Sequence, residues 1–588
     1  MTIYSFPNIF KNAFNSGHRV ILMMILCLFV LGMLSAASRK GRRKVVDEKV
    51  HLIHADELKY DIYGPNAQAQ VAKGRVHFVH KGAHLTCDTA YFYQESNSAR
   101  AFGHVRFRQG DTLSVVCDQA WYNGLDQLLE ARHNVVMKHR SQTLTTDSLN
   151  YDRLYQYAYF FNGGKLVDGK TRLVSDYGEY NTGTKQSKFL YDVHLKTPDS
   201  EVWTDTLHYD NFKSLAHVVG MYTADRGNGK LGPSLIKTKG STITTTDAYF
   251  NTKNDKADLY GRSTVVDKAK TITADTLIYN SKSGRNKGLG NVIYIDSKNK
   301  NTLTCGEVEY SEKEGRGYAT KQALVRDYSQ KDTLYLHADT IRLETFHINT
   351  DSMYRKVHCY NKVRTYRTDV QAVCDSMVFN SQDSCLTMYQ DPIVWNMGRQ
   401  LVGEVIKLFM RDSTVREAHV LGQALSIELM PDSIHYNQIS SRDMFAYFKE
   451  GKIRRSDAVS NVRAIYYPVD DKDSTLIGLN YVETDTMKMY MSPLRKLERI
   501  WMPKAEGTLY PMTQIPPSKY KLDSFAWFDY IRPVDKNDVF NWRGKTAGTE
   551  IRNIKRHAAP LQQLGARPAV AVSPPSDTAA TERQVVSP

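Results

Sequence analysis

From Val50 onward, apolar and polar residues alternate in runs of about ten, the period-two signature of strands with one buried face. Val76 and Phe78 fall on one face, with Arg75 and His77 on the other. Val105 and Phe107 oppose Arg106 and Arg108 in the same way. The runs are separated by Lys81-Gly82, Gln109-Gly110-Asp111 and Asn123-Gly124, short polar turns that suit hairpins. The pattern also returns. The stretch opening Gly74-Arg-Val-His-Phe and closing on Leu85-Thr-Cys-Asp-Thr-Ala-Tyr91 is repeated by Gly103-His-Val-Arg-Phe and Leu113 to Tyr122. Asp56, Asp88, Asp118, Asp147, Asp176, Asp205 and Asp275 mark it, meeting closely or nearly so a pattern of apolar or aromatic residues two and four places on, at steps of about 30 residues with one longer gap.

Each period reads as two antiparallel strands. Glycine inside a strand marks a bulge or bend, so Gly74, Gly103 and Gly290 are expected corners where a strand passes from one sheet to a facing one. Recurrence in every module assigns the aspartates, among them Asp88, Asp118 and Asp147, to turns and corners and not to catalysis. The expected fold is all-β: a tandem or extended β-jellyroll of repeated antiparallel hairpins. The copies divide into 50–222 and a more degenerate 241–467, with the glycine-rich 223–240 as loop or boundary. Residues 468–544 change character and read as an irregular cap over the last apolar edge, with a short basic helix at Pro493 to Met502. The Ala-, Pro- and Ser-rich 545–588 reads as a disordered tail.

Residues 20–37 form an apolar run closing on Ser-Ala-Ala, which makes 1–37 an export signal, with a membrane anchor as the alternative. A basic linker, 38–49, follows. The formal net charge of +15 admits nucleic acid, anionic lipid or no specific partner, and export excludes nucleic acid. Seven cysteines show no CxxC spacing, and no HExxH, GxSxG, Walker or dinucleotide motif occurs, so neither an enzyme nor a metal or other cofactor is expected. Cys87 and Cys117 hold the same place in successive repeats and are either bridged or packed as small apolar side chains.

The apolar face is either an ordinary filled core or the wall of a groove for acyl chains. On the second reading the wall is Val76, Phe78, Leu85, Ala90, Val105, Phe107, Leu113 and Val115, each buried chain methylene contributing about 0.8 kcal/mol.

Ile53-His-Ala-Asp-Glu-Leu-Lys-Tyr-Asp61, followed by Gly74-Arg-Val, Leu85 to Tyr91 and Gly103-His-Val, resembles the OstA/LptA-like family, related to the N-terminal domain of LptD. The likeness runs from Ile53 to Tyr222 and more weakly to Tyr467. The resemblance implies an OstA-type β-jellyroll and a non-enzymatic, periplasmic lipopolysaccharide-binding protein that shields lipid A acyl chains during transport and outer-membrane assembly. It also implies sheet-edge pairing with other lipopolysaccharide-transport proteins, and self-association end to end. The chain is longer than a minimal bridge protein and lacks a C-terminal run of amphipathic membrane strands. A structural or adhesive cell-envelope β-solenoid, binding glycan or protein partners, is the alternative.

Overall fold

The structure, a computed structural model, describes residues 48–543 except 61–67, 140, 182–183, 185, 199, 211, 221–231, 239, 252–255, 281–282, 412–413, 471–474 and 495. The apolar run 20–37, most of the basic linker and the tail 545–588 lie outside the described residues, as does most of the glycine-rich stretch. Among the described residues every regular element is a β-strand apart from four 3-10 turns after Pro511, and no helix is long and apolar enough to cross a membrane. The described residues form two compact units, 48–298 with 309–313, and 299–308 with 314–543. The division falls near residue 300.

In the first unit, Gln70–His80, Ala83–Tyr93, Ser98–Gln109, Leu113–Asn123, Leu128–His139, Gln142–Asp152 and Tyr157–Asp168 form an antiparallel meander. Each strand pairs with the next, and the register slips near mid-strand, as between Lys73 and Val76 and between Phe102 and Val105. The sheet folds over at these slips. Phe78 pairs with Leu85. Phe92 lies seven residues beyond Leu85, about 23 Å along a straight strand. The Phe78 and Phe92 rings nevertheless sit 5.4 Å apart. Phe107 and Tyr122, on the next hairpin, meet in the same way at 6.0 Å. Each strand therefore contributes one half to each of two leaves that close on one another like a V.

The fold line is built by a recurring device. Gly74 and Arg75 have φ of 73° and 44°, and Gly103 and His104 repeat those values. An acidic residue across from the slip is tied to a residue of the positive-φ pair, which is Gly-Arg, Gly-His or Gly-Asn at three corners and His133-Asn134 at another. Arg75 pairs with Asp56 at 2.6 Å and His104 with Asp88 at 2.7 Å, while Asn134 donates to Asp118 at 2.7 Å and Asn291 to Asp275 at 2.8 Å. Asp147 lies 3.5 Å from His133. All these carboxylates are solvent-reached, and structural hydrogen bonding is their role in this geometry.

The second unit uses the same meander with longer strands, among them Leu334–Phe346, Tyr354–Arg367, Thr414–Leu429, Tyr436–Lys449, Lys452–Tyr466 and Gly478–Met491. The basic stretch expected to be helical is instead the strand Leu497–Trp501, paired with Lys488 to Met491. A free sheet edge offered backbone partners that an isolated short helix lacks. From Met512 the chain is irregular and lies against inward-facing residues of this unit.

Candidate functional site

The inward positions form rows that can be followed strand to strand. One row of the first unit runs Phe78, Leu85, Phe107, Val115, Met137, Leu144, Leu166, Leu173 and Leu195 in direct register. It continues through Val202, Ile236, Ile243, Val265 and Ile272, each again paired to the last. On the facing leaf, next to the fold line, Ala72, Ala90, Ala101, Ala120 and Ala131 form a second row. Side-chain size thus grows from vertex to mouth. Alanine, valine and cysteine fill the narrow end, and phenylalanine and tyrosine the wide end, as a wedge-shaped interior at crystal-like density requires. Cys87 and Cys117 pair with Val76 and Val105 at the vertex and are free, buried thiols.

All eight residues expected on the wall, Val76, Phe78, Leu85, Ala90, Val105, Phe107, Leu113 and Val115, are buried, from 0% exposure at Val76 to 9% at Leu113. In this stretch the two leaves are in contact. Further along the same rows a cleft of about 80 Å³ opens, continuous with solvent. Its wall includes Met137, Leu144, Leu149, Phe160, Leu166 and Phe189. None of the eight residues lines it. Met137, Leu144 and Leu166 face inward but are only half-buried. The cleft begins where the alanine row gives way to Leu149, Phe160, Gly178 and Phe189. Gly164 and Gly178 stand against the Phe160 ring, and a side chain at either would collide with it. Two glycines beside one large ring are the sequence signal for this change of shape.

The cleft lining is apolar apart from a few groups at its edge. Tyr180 is buried enough for its phenol to be pushed above the usual value. Glu179 accepts hydrogen bonds from Tyr157 and, at 3.0 Å, from Tyr177. Burial and then the Glu179 bond raise the Tyr177 phenol, so both tyrosines remain neutral donors across the neutral range. The polar groups in the lining, His139, Gln142, Glu179 and Ser187, present almost none of the cleft's exposed surface. The cleft offers apolar surface.

The sequence of the meander decides the family comparison. Residues 47–205 match the family model described as OstA-like protein. The matched stretch takes in the corners at Gly74 and Gly103, the tightly filled hairpins and the whole wall of the cleft. No curated protein matches the chain significantly. Among solved structures, LptH, the LptA homologous periplasmic component of the lipopolysaccharide transport device from Pseudomonas aeruginosa, is 14% identical over 21% of this chain and 82% of that one, with a TM-score of 0.17.

Proposed function

We propose that this chain takes part in lipopolysaccharide transport across the periplasm and in outer-membrane assembly, as a non-enzymatic protein that holds acyl chains of lipid A in the cleft of its OstA-like domain. The observation that carries the reading is the continuous apolar row from Phe78 to Leu195, which runs from filled core into an open cleft without a polar interruption. Burial of acyl methylenes against Met137, Leu144 and Leu166 would contribute about 0.8 kcal/mol each. Among the described residues the strands His51–His54 and Glu57–Tyr60 pair only with Gln70–His80, and they expose Ile53, Leu58 and Tyr60. This edge is where a strand of another transport protein, or of a second copy, would be added.

The test is purification of the exported chain from a lipopolysaccharide-producing host. Bound lipopolysaccharide is expected, with a several-fold loss in Leu144→Asp and Leu166→Asp, whose half-buried sites let a carboxylate reach water. Lipid-free wild-type protein, or variants that retain full lipid, would overturn the reading. Val76→Asp is unsuited to this test, because a charge at a fully buried vertex position destabilises the fold itself.

A second reading, a cell-envelope β-solenoid that binds glycan or protein on its outer face, is favoured by the tight filling between Val76 and Val115 and by an exposed stack. Arg100 lies 4.5 Å over the Trp121 ring and 5.9 Å from that of Tyr93. Loss of binding to envelope glycans in Trp121→Ala, with lipopolysaccharide content unchanged, would favour it over the first.

A further inference from the structure

The inner face of the second unit differs chemically from that of the first. One of its rows runs His337, Arg364, Val373, Ile393, Val402, Leu425, Ser440, Arg463 and Glu483, with a cation toward either end of an apolar middle. Another runs Gln371, Trp395, Gln400, Ile427, Gln438, Ile465 and Tyr481, with a glutamine at its first, third and fifth places. Buried carboxamides are costly against an acyl chain, which cannot hydrogen-bond.

Here they have a partner. Gln400, fully buried, donates from Nε2 to the carbonyl of Ala526 at 2.7 Å and accepts at Oε1 from the N–H of Phe528 at 2.7 Å. Gln438, also fully buried, does the same with the carbonyl of Tyr520 and the N–H of Leu522, both at 2.9 Å. Each glutamine spans two residues of an irregular backbone, the chemistry by which a strand would pair with a peptide. The cations complete the set. Arg463 pairs with Asp523 at 3.2 Å, and Arg364, fully buried, pairs with Asp538 at 3.4 Å. Between these anchors Phe528 and Ile531 pack on Val373, Trp395 and Leu425, while Ile515 and Leu522 pack on Ile465 and Leu479.

We infer that the inner face of the second unit is a peptide-recognition groove, with Gln400 and Gln438 reading backbone and Arg364 and Arg463 reading carboxylates, and that its occupant is the chain's own segment 515–543. Acyl chains are excluded from it by the same glutamines. The inference concerns a different unit from the lipopolysaccharide reading and does not rest on it.

The test uses the full chain with a protease site inserted between the exposed Thr513 and Gln514. After cleavage the freed segment is expected to stay bound through gel filtration. It should exchange with an excess of synthetic 515–543 peptide and resist displacement by lipopolysaccharide or a long-chain fatty acid. Loss of the segment on cutting, or its displacement by either lipid and not by peptide, would overturn the inference. A second measurement needs no cut. Amide hydrogen exchange at Leu522 and Phe528 should be slow in the intact wild type and at least tenfold faster in the isosteric Gln400→Leu/Gln438→Leu double variant. Equal rates would refute recognition by the glutamines, whatever the cleaved chain does.

Discussion

The carboxylate of Asp88 lies against the α-carbon of Gly103, so closely that a methyl group added there would come within 2.5 Å of Asp88 Oδ2. Gly103 also holds φ at 73°, in the left-handed region. Two costs therefore meet in Gly103→Ala: about 1–2 kcal/mol for the backbone conformation and about 1–3 kcal/mol for the crowded carboxylate. Gly82 has φ of 76° with nothing within 4 Å, so Gly82→Ala carries the first cost alone. Denaturant titration of both variants should show the larger drop in midpoint for Gly103→Ala. Equal drops would mean that the Asp88 contact is not part of the corner.

The corners were legible because they recur. Period-two alternation identifies strands, and a glycine before Arg75 or His104, one repeat apart, identifies the place where each strand turns. The rows were only half legible. Alternation places Phe78 and Val115 on the inward face, but whether inward means filled or open depends on the facing leaf, which local pattern does not carry. Gly164 and Gly178 beside Phe160 held that information, at positions far apart in the chain. The segment from Met512 has no period at all, and its path along the second unit is set by Gln400, Gln438 and Arg364, residues a hundred or more positions away in several cases. The strand at Leu497–Trp501 shows the same limit, since edge pairing prevailed over a locally helical composition.

The vertex thiols should be inert. Burial pushes Cys87, Cys117, Cys305 and Cys359 up to about 12, and Cys374 well above the ordinary value. A thiol at about 12 is ionised to roughly one part in ten thousand at pH 8, against roughly a quarter for a free cysteine. Maleimide treatment of the native chain followed by mass spectrometry is expected to find none of these five residues modified, and all five modified after denaturation. Rapid native labelling of Cys87 or Cys117 would show the leaves parted at the vertex.

His80 links the mouth of the first unit to pH. It is buried, with Nδ1 2.6 Å from the Tyr122 hydroxyl, and Arg153 donates to that same hydroxyl at 2.7 Å. Burial, then the Arg153 and Lys81 charges, hold its pKa below the usual value. Below an unfolded-state pKa of about 6.5 the unfolded chain takes up the proton first. The neutral ring's contribution to stability is therefore complete above about pH 6.5 and is lost as pH falls from there toward the folded value. His80→Gln should flatten this part of the curve, measured as thermal midpoint between pH 7.5 and 5. An unchanged slope would assign the acid sensitivity to other buried histidines such as His337, which burial also shifts down.

Arg364 and Asp538 allow the attachment of the C-terminal segment to be measured apart from its apolar packing. Arg364 is fully buried; its Nε and Nη1 have no protein acceptor, and burial, only partly opposed by Asp538, lowers it to about 10. Asp538 is held down to about 2 because the bonds from Arg543, Val534 and Asn541 and the Arg364 charge outweigh its burial. Asp538→Asn removes the one carboxylate paired with Arg364 among the described residues and leaves a buried cation uncompensated, a loss of about 3–5 kcal/mol. Arg364→Met together with Asp538→Asn removes the charge along with its partner. It should recover most of that loss, because replacing a buried pair by apolar volume is often neutral. Urea unfolding of both variants, completed as a cycle with Arg364→Met alone, gives the coupling energy. A coupling near zero would mean that Asp538 serves Arg543 and the local turn, and that the segment is held in the second unit by the glutamines and the aromatic residues alone.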